Sequence, residues 1–256
     1  MTDKKKTVRL TVVFIIITYV ISGAGYFLWF GKTKAEAAAF IPVLAPSVAG
    51  LCVYRKNIRA DFLKINIKGI FTGIWLIILC YILAVSMFLI SGKHLMKPQI
   101  KAPDVVVLFV QWIFAGFCEE FGWRGVLLPL LKKIFTLERA CLINGIVWAL
   151  WHLPLILTAN MSKGHSITGG FVLFTITTIC LSYIFGLLSE SKTGKSIWIY
   201  VTIHALYNIA GVILMSMITV TEYKFLDESG YFLVSSLILV TAVLYFVTLK
   251  CRRNHD

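Results

Sequence analysis

Charged residues are scarce in this chain of 256 residues. Asp, Glu, Lys and Arg make up 14% of it, whereas 59% is hydrophobic and the mean hydropathy is +0.85. A soluble domain is usually about a quarter charged and about 45–50% apolar. The composition therefore excludes an ordinary soluble protein, and the long apolar runs indicate a polytopic membrane protein.

Several chemical signatures are also missing. None of the six cysteines forms a CxxC pair, so neither a disulfide framework nor a structural zinc site is expected. The absence of HExxH excludes a zincin-type helix, and no Ser or Cys carries a local nucleophile signature. The net charge of +13 does not indicate nucleic-acid binding, because no basic face with interleaved aromatics lies outside the apolar segments.

The apolar runs predict an all-α polytopic membrane protein with about eight transmembrane helices, since each run approaches the length of about 20 residues that crosses a bilayer. Residues 1–256 are interpreted as a single integral membrane domain. The first run could also be a cleaved signal peptide, but its apolar residues continue far enough to favour a retained span. The predicted spans are residues 10–30, 35–54, 69–90, 105–131, 137–158, 169–188, 196–218 and 231–249.

The loop charges predict the orientation. With the N-terminus in the cytoplasm, 17 Lys and Arg residues fall on the cytoplasmic side and 7 on the other. Basic residues concentrate in cytoplasmic loops, so both termini are expected inside. The basic N-terminal arm and compact chain are typical of a bacterial plasma-membrane protein.

Three ionisable residues lie inside the fourth predicted span: Glu119, Glu120 and Arg124. Each charge at membrane depth costs about 2.5–3.5 kcal/mol and needs a partner. Glu120 and Arg124 are four residues apart in the acid-first order, so they can neutralise each other. Glu119 lies about 100° round the helix and has no cation on its own helix.

Two further spans carry polar side chains at helical spacing: Trp148 with His152, and His204 with Asn208. At 1.5 Å per residue, Glu119, His152 and Asn208 each lie roughly 18–20 Å from the cytoplasmic ends of their spans. Such a match in depth predicts one polar site within the membrane.

The residue types suit hydrolysis of an amide bond. Glu119, helped by His152, could activate a water, while His204 and Asn208 donate to the oxyanion. Glu119, His152 and His204 could instead ligate zinc or another divalent metal with a position left open for water. Two other functions stay open: a non-catalytic membrane immunity or regulatory protein, and a proton-coupled transporter.

Three motifs resemble those of a known family. Glu119-Glu120-xxx-Arg124 is similar to EExxxR, Trp148-xxx-His152 to FxxxH, and His204-xxx-Asn208 to HxxxN, in this order on separate spans. These motifs mark the CPBP intramembrane proteases, also known as the Abi family, which include CAAX prenyl endopeptidases and bacteriocin-processing or immunity proteins. The motif-bearing core is residues 105–218, and Trp148 stands where Phe is usual.

The resemblance implies an eight-helix membrane endopeptidase. According to this resemblance, the first Glu (Glu119) and the first His (His152) hold the catalytic water, and His204 and Asn208 form the oxyanion hole. Glu120, Arg124 and Trp148 are supporting residues. The family has been described with and without a metal. The implied partners are the lipid bilayer and a peptide or protein substrate at the membrane, either prenylated or carrying a leader.

Overall fold

The computed structural model describes residues 3–31, 36–54, 58, 61–161, 167–217 and 229–253. These residues form helices and connecting segments, with no strand among them. The helices are α1 (Asp3–Phe30), α2 (Phe40–Tyr54), α3 (Ile67–Ile90), α4 (Ala102–Gly122), α5 (Leu128–Lys132), α6 (Leu137–Met161), α7 (Ile167–Ser189), α8 (Ile197–Ser216) and α9 (Ser229–Arg253).

The predicted all-α membrane class is confirmed. Within the described residues, six helical segments are long and apolar enough to cross a membrane. They are Asp3–Phe30, Ile67–Ile90, Ala102–Lys132, Leu137–Leu157, Gly170–Ser189 and Ile197–Ser216. The second and eighth predicted spans correspond to shorter apolar helices, Phe40–Tyr54 and Leu233–Thr248. Seven of the basic residues used to predict the orientation lie outside the described residues: Lys32, Lys34, Arg55, Lys56, Arg59, Lys163 and Lys224.

The fourth predicted span contains a change of helix type. A π-helical turn, Trp123–Leu127, joins α4 to α5, and the Leu128 N–H donates to the carbonyl of Trp123, five residues earlier. Pro129 follows at once and has no N–H to continue the α-helical ladder. Short π-helical turns of this kind are frequent at functional sites. The turn includes Arg124, so it sets the direction of that side chain.

The helices pack in a closed order around the site. The main contacts connect α1, α2, α4, α8, α3, α9, α7 and α6 in turn, and α6 also contacts α1. In this arrangement α4 lies between α2 and α8. The side chains of α4, α6 and α8 that face inward can therefore meet one another.

Helix α4 becomes more buried along its length. Its first half includes exposed residues such as Phe109, whereas residues 118–122 at its end and the following residues 123–128 are all buried. Gly122 permits the close approach of α2, because a Cβ built at Gly122 would lie 2.4 Å from the Cβ of Pro46. One turn earlier, the Ser47 hydroxyl donates to the Cys118 carbonyl at 2.5 Å. These contacts place the buried half of α4, with its two glutamates, inside the bundle.

Candidate active site

Glu120 lies at the centre of a buried ion-pair network. Nη1 of Arg124 donates to its Oε1 at 3.2 Å, and Nε of Arg124 lies 3.0 Å from its Oε2. His204, on α8, places Nδ1 at 2.8 Å from the same Oε1. The predicted pairing of Glu120 with Arg124 is present, and a histidine from another helix joins it.

The guanidinium of Arg124 packs between two aromatic rings in addition to its ion pair with Glu120. Its guanidinium carbon lies 4.3 Å from the ring centroid of Trp148 and 4.3 Å from that of Phe185. Aromatic faces attract a cation through their quadrupole. This sandwich and the ion pair fix the guanidinium where only 4% of the residue is exposed.

Glu119 has different surroundings, although it is the adjacent residue. Its Oε2 accepts a hydrogen bond from the indole Nε1 of Trp148 at 3.0 Å. Glu119 also lines a cavity of about 420 Å³ between α1, α2, α4 and α6. The carboxylate is 3% exposed and faces open space as well as protein atoms.

His152 lines the same cavity as Glu119. Its Nδ1 lies 3.1 Å from the carbonyl oxygen of Trp148, one helical turn earlier. A carbonyl only accepts, so the proton is on Nδ1 and Nε2 is left to accept one from elsewhere. Ring contacts with Trp151 (4.4 Å between centroids) and Phe174 (4.8 Å) hold the imidazole in place. The predicted pairing of Glu119 and His152 around one water has the space that it needs.

The structure groups His204 differently from the sequence-based interpretation, which had it face Glu119. Its Nδ1 is bonded to Glu120 instead. The reason is the packing of α8 on α4: a Cβ at Gly116 would lie 3.5 Å from the His204 Cβ. Gly116 and Glu120 are four residues apart and share a face, so the residue on α8 that packs on Gly116 meets Glu120.

Asn208 lines a neighbouring cavity of about 250 Å³ rather than the one that contains Glu119. Trp112 and Phe174 also line this second cavity. Trp112 lines both cavities. Asn208 therefore lines a different cavity from Glu119 and His152, and the predicted match in depth stays a prediction.

The sequence did not identify several residues that complete the site. Phe185 covers one face of Arg124, and Phe174 packs on His152. Trp148 was expected as an aromatic wall, and the structure adds its hydrogen bond to Glu119. Phe174 and Phe185 lie on α7, whose sequence contains no charged residue that would indicate a functional site. No signal in the sequence distinguishes them from other apolar residues.

Asn144 and Tyr200 lie one helical turn before Trp148 and His204, and both make structural hydrogen bonds. Asn144 is fully buried, donates to the Trp123 carbonyl at 3.3 Å and accepts from the Ser182 hydroxyl at 3.2 Å. Tyr200 donates its hydroxyl to the Gly194 carbonyl at 2.5 Å. Asn144 thereby ties α6 to the π-helical turn and to α7.

The donors proposed for a metal do not converge in this arrangement. Ligation requires three side chains whose donor atoms come within about 2.0–2.2 Å of one point. Across the described ranges of the chain, no group of three His, Cys, Asp or Glu side chains is placed to hold a metal ion. His204 turns Nδ1 to Glu120 and Glu119 turns Oε2 to Trp148, so the set of Glu119, His152 and His204 does not fit a metal.

Known proteins share this sequence pattern. Residues 101–210 match the family model described as "Type II CAAX prenyl endopeptidase Rce1-like". The chain is 28% identical to CAAX prenyl protease 2 of Methanococcus maripaludis over 262 aligned positions, covering 88% of this chain and 90% of that protein. It is 27% identical to lysostaphin resistance protein A of Staphylococcus haemolyticus over 113 positions, 44% of this chain and 29% of that protein.

The match to the family model includes every site residue predicted from the three motifs, from Glu119 to Asn208. The similarity to the archaeal relative extends over most of the chain, well beyond those motifs. Both findings agree with the all-helical membrane fold, and they make the chain similar to the Rce1-like type II CAAX prenyl endopeptidases, with residues 101–210 carrying the family match.

Proposed function

We propose that this protein is an intramembrane endopeptidase in which Glu119, helped by His152, activates the attacking water. One observation carries the proposal: Glu119 on α4 and His152 on α6 line the same cavity of about 420 Å³ inside the helical bundle. The similarity of the chain to Rce1-like CAAX prenyl endopeptidases supports it. The adjacent Glu120 is bonded to Arg124 and His204, so Glu119 is the carboxylate of the two that faces the cavity.

The chemistry follows from the two side chains that line the cavity. A water between them donates one hydrogen bond to Glu119 and a second to Nε2 of His152. Glu119 takes a proton as the water oxygen attacks the peptide carbonyl carbon, which forms a tetrahedral oxyanion. The C–N bond then breaks, the nitrogen receives the proton from Glu119, and the products are a carboxylic acid and an amine.

The oxyanion donors in this mechanism are His204 and Asn208. Because Nδ1 of His204 is bonded to Glu120, Nε2 is the nitrogen that can face a substrate, and it donates when the ring is protonated. Asn208 offers an amide N–H from the adjacent cavity. The substrate carbonyl would bind beside Trp112, which borders both cavities, and a shift of that ring would give Asn208 access.

The lining of the cavity supports an apolar, membrane-associated peptide substrate. Most of the walls are hydrophobic, and several are aromatic: Tyr26, Trp29, Phe40, Trp112, Phe114 and Trp151. The archaeal relative is named a CAAX prenyl protease. A prenylated peptide and a leader peptide that lies at the membrane both suit such walls. The excess of basic residues on one side favours cytoplasmic termini in a bacterial plasma membrane.

The test compares purified wild-type protein and variants in nanodiscs with a farnesylated CAAX peptide and with leader peptides. Glu119→Gln and His152→Ala are each expected to lower the cleavage rate by roughly 100-fold or more, the contribution of general acid–base catalysis. Matched controls are Glu138→Gln, in the first turn of α6, and His94→Ala, which is exposed; both should cleave at the wild-type rate.

Wild-type rates in both site variants would overturn the proposed mechanism. Substrate trapping in cells that express Glu119→Gln, followed by mass spectrometry, would identify the natural peptide. Metal analysis of active protein, with a chelator control, tests the metal question separately. Stoichiometric metal, and activity that is lost on chelation and restored by one metal, would require a ligand set other than Glu119, His152 and His204 as they stand.

A second function is a membrane resistance or immunity protein that does not cleave. The similarity of 113 positions to lysostaphin resistance protein A favours this alternative. Glu119→Gln distinguishes the two functions, because a non-catalytic protein keeps its protective effect after this isosteric change. Loss of protection together with loss of cleavage would favour the endopeptidase.

A further inference from the structure

Trp148 does more than form an aromatic wall, because its side chain contacts several of the polar residues of the site. Its indole Nε1 donates to Glu119 at 3.0 Å, and the face of its ring lies 4.3 Å from the guanidinium carbon of Arg124. Its ring centroid is 5.6 Å from that of His204 and 6.1 Å from that of His152. One buried side chain thus lies between the ion-pair network of Glu120 and the cavity that contains Glu119.

The indole N–H is the specific feature of this residue. The family motif has Phe at this position, and a phenyl ring could pack on Arg124 and on both histidines. It could not donate to a carboxylate. A carboxylate has two oxygens and rotates about its terminal torsion unless a donor holds one of them. In this chain Trp148 holds Oε2 of Glu119, so Oε1 is the oxygen left for a water.

We propose that Trp148 is a positioning residue: its indole N–H orients the Glu119 carboxylate toward the cavity, a task that the phenylalanine of the family motif cannot perform. The inference rests on the proposed function of Glu119 as the base. Its physical basis is that a donor near a carboxylate in a water-poor site forms a charge-assisted hydrogen bond, which is shorter and stronger than a neutral one. The same ring anchors itself on Arg124, so the orientation of Glu119 depends on the neighbouring ion pair.

The kinetic test replaces Trp148 with the residue of the family motif. Trp148→Phe keeps an aromatic ring and removes the N–H, so we expect kcat to fall about 10-fold or more while KM stays within about 2-fold, because a hydrogen bond to a charged group is stronger than a neutral one. The matched control is Trp123→Phe. Trp123 is also buried in the bundle, but its Nε1 has no hydrogen-bond partner among the described residues, so this variant should keep both constants.

A spectroscopic test does not depend on cleavage. The chain has seven tryptophans, and ¹⁵N labelling of their indoles gives one N–H resonance for each, assigned through Trp148→Phe. Glu119→Ala should move the Trp148 resonance and leave that of Trp123 in place. Glu138→Ala should move neither. This measurement reports the hydrogen bond even if no peptide is cleaved.

The two measurements separate the possible failures. An unchanged Trp148 resonance in Glu119→Ala would overturn the hydrogen bond and the proposal with it. A shifted resonance with an unchanged kcat in Trp148→Phe would reduce Trp148 to a packing residue. A wild-type protein that cleaves no peptide would overturn the proposed function, while the resonance would still show whether Trp148 holds Glu119.

Discussion

Glu119 and Glu120 are consecutive residues on one helix, yet they lie in two different regions of the molecule. Glu120 is fully buried and is contacted by Arg124 and by His204, so its charge is matched by protein groups. Glu119 is also buried, but its described contact is a neutral indole, and it lines a cavity. The step of about 100° between adjacent residues of a helix separates the two environments.

This difference suggests that the charge of Glu120 stabilises the fold, whereas the charge of Glu119 is available for function. A buried carboxylate that is bonded to an arginine and a histidine is expensive to disturb, because removing a partner leaves a buried charge unpaired. A carboxylate beside a cavity, held through one oxygen, keeps the other oxygen for a water. The two glutamates should therefore respond differently to the same substitutions, in stability as well as in activity.

The largest effect on stability is expected on the Glu120 side. Glu120→Ala or Arg124→Ala should lower the free energy of unfolding by about 3–5 kcal/mol, because each leaves a buried charge without its partner. Activity should also be lost, since His204 loses its anchor. Unfolding by denaturant in detergent micelles measures the change. A double replacement, Glu120→Gln with Arg124→Met, should cost less than either single one; a larger loss would contradict a charge-based explanation.

An intermediate loss of stability is expected when Asn144 is replaced, because Asn144 connects α6 to α7 and to the π-helical turn. Asn144→Leu keeps the approximate volume but removes the bonds to the Trp123 carbonyl and the Ser182 hydroxyl. The loss should be about 1–3 kcal/mol, the penalty for leaving buried polar groups unsatisfied. Adding Ser182→Ala should recover part of it. Wild-type stability of Asn144→Leu would show that the hydrogen bonds connecting α6 to α7 and to the π-helical turn do not contribute to the free energy of unfolding.

The smallest effect on stability is expected at Glu119. Glu119→Gln is isosteric and its amide oxygen can still accept from Trp148, so the free energy of unfolding should change by less than about 1 kcal/mol. Cleavage should nevertheless be abolished. Thermal unfolding in the same micelles, compared with Glu120→Gln, provides the direct contrast. Equal destabilisation by the two glutamine substitutions would remove the distinction between the regions.

Much of this arrangement could be read from the sequence. The lengths of the apolar runs predicted helices that agree with the structure to within a few residues, for example 69–90 for α3 (Ile67–Ile90) and 137–158 for α6 (Leu137–Met161). The spacing of four residues predicted the pair of Glu120 and Arg124, because residues three or four apart are neighbours on the surface of a helix. The three motifs predicted the family.

What the sequence by itself determined was therefore one-dimensional: which segments are helical, how far along its helix each polar group lies, and which side chains share a face of their own helix. Rise and twist per residue are constants of the α-helix, so these properties follow from spacing. They do not contain the rotation of one helix against another.

Only the tertiary structure decided which partners the polar groups meet. The packing of α8 on α4 places His204 within hydrogen-bond distance of Glu120. The approach of α6 brings the Trp148 indole to Glu119, and Trp112 lines the same cavity as Asn208. Each of these contacts joins residues on different helices, and close packing at positions such as Gly122 and Pro46 sets how those helices are rotated and how near they lie. That packing depends on many apolar side chains together, so no local pattern around Glu119 could have revealed it.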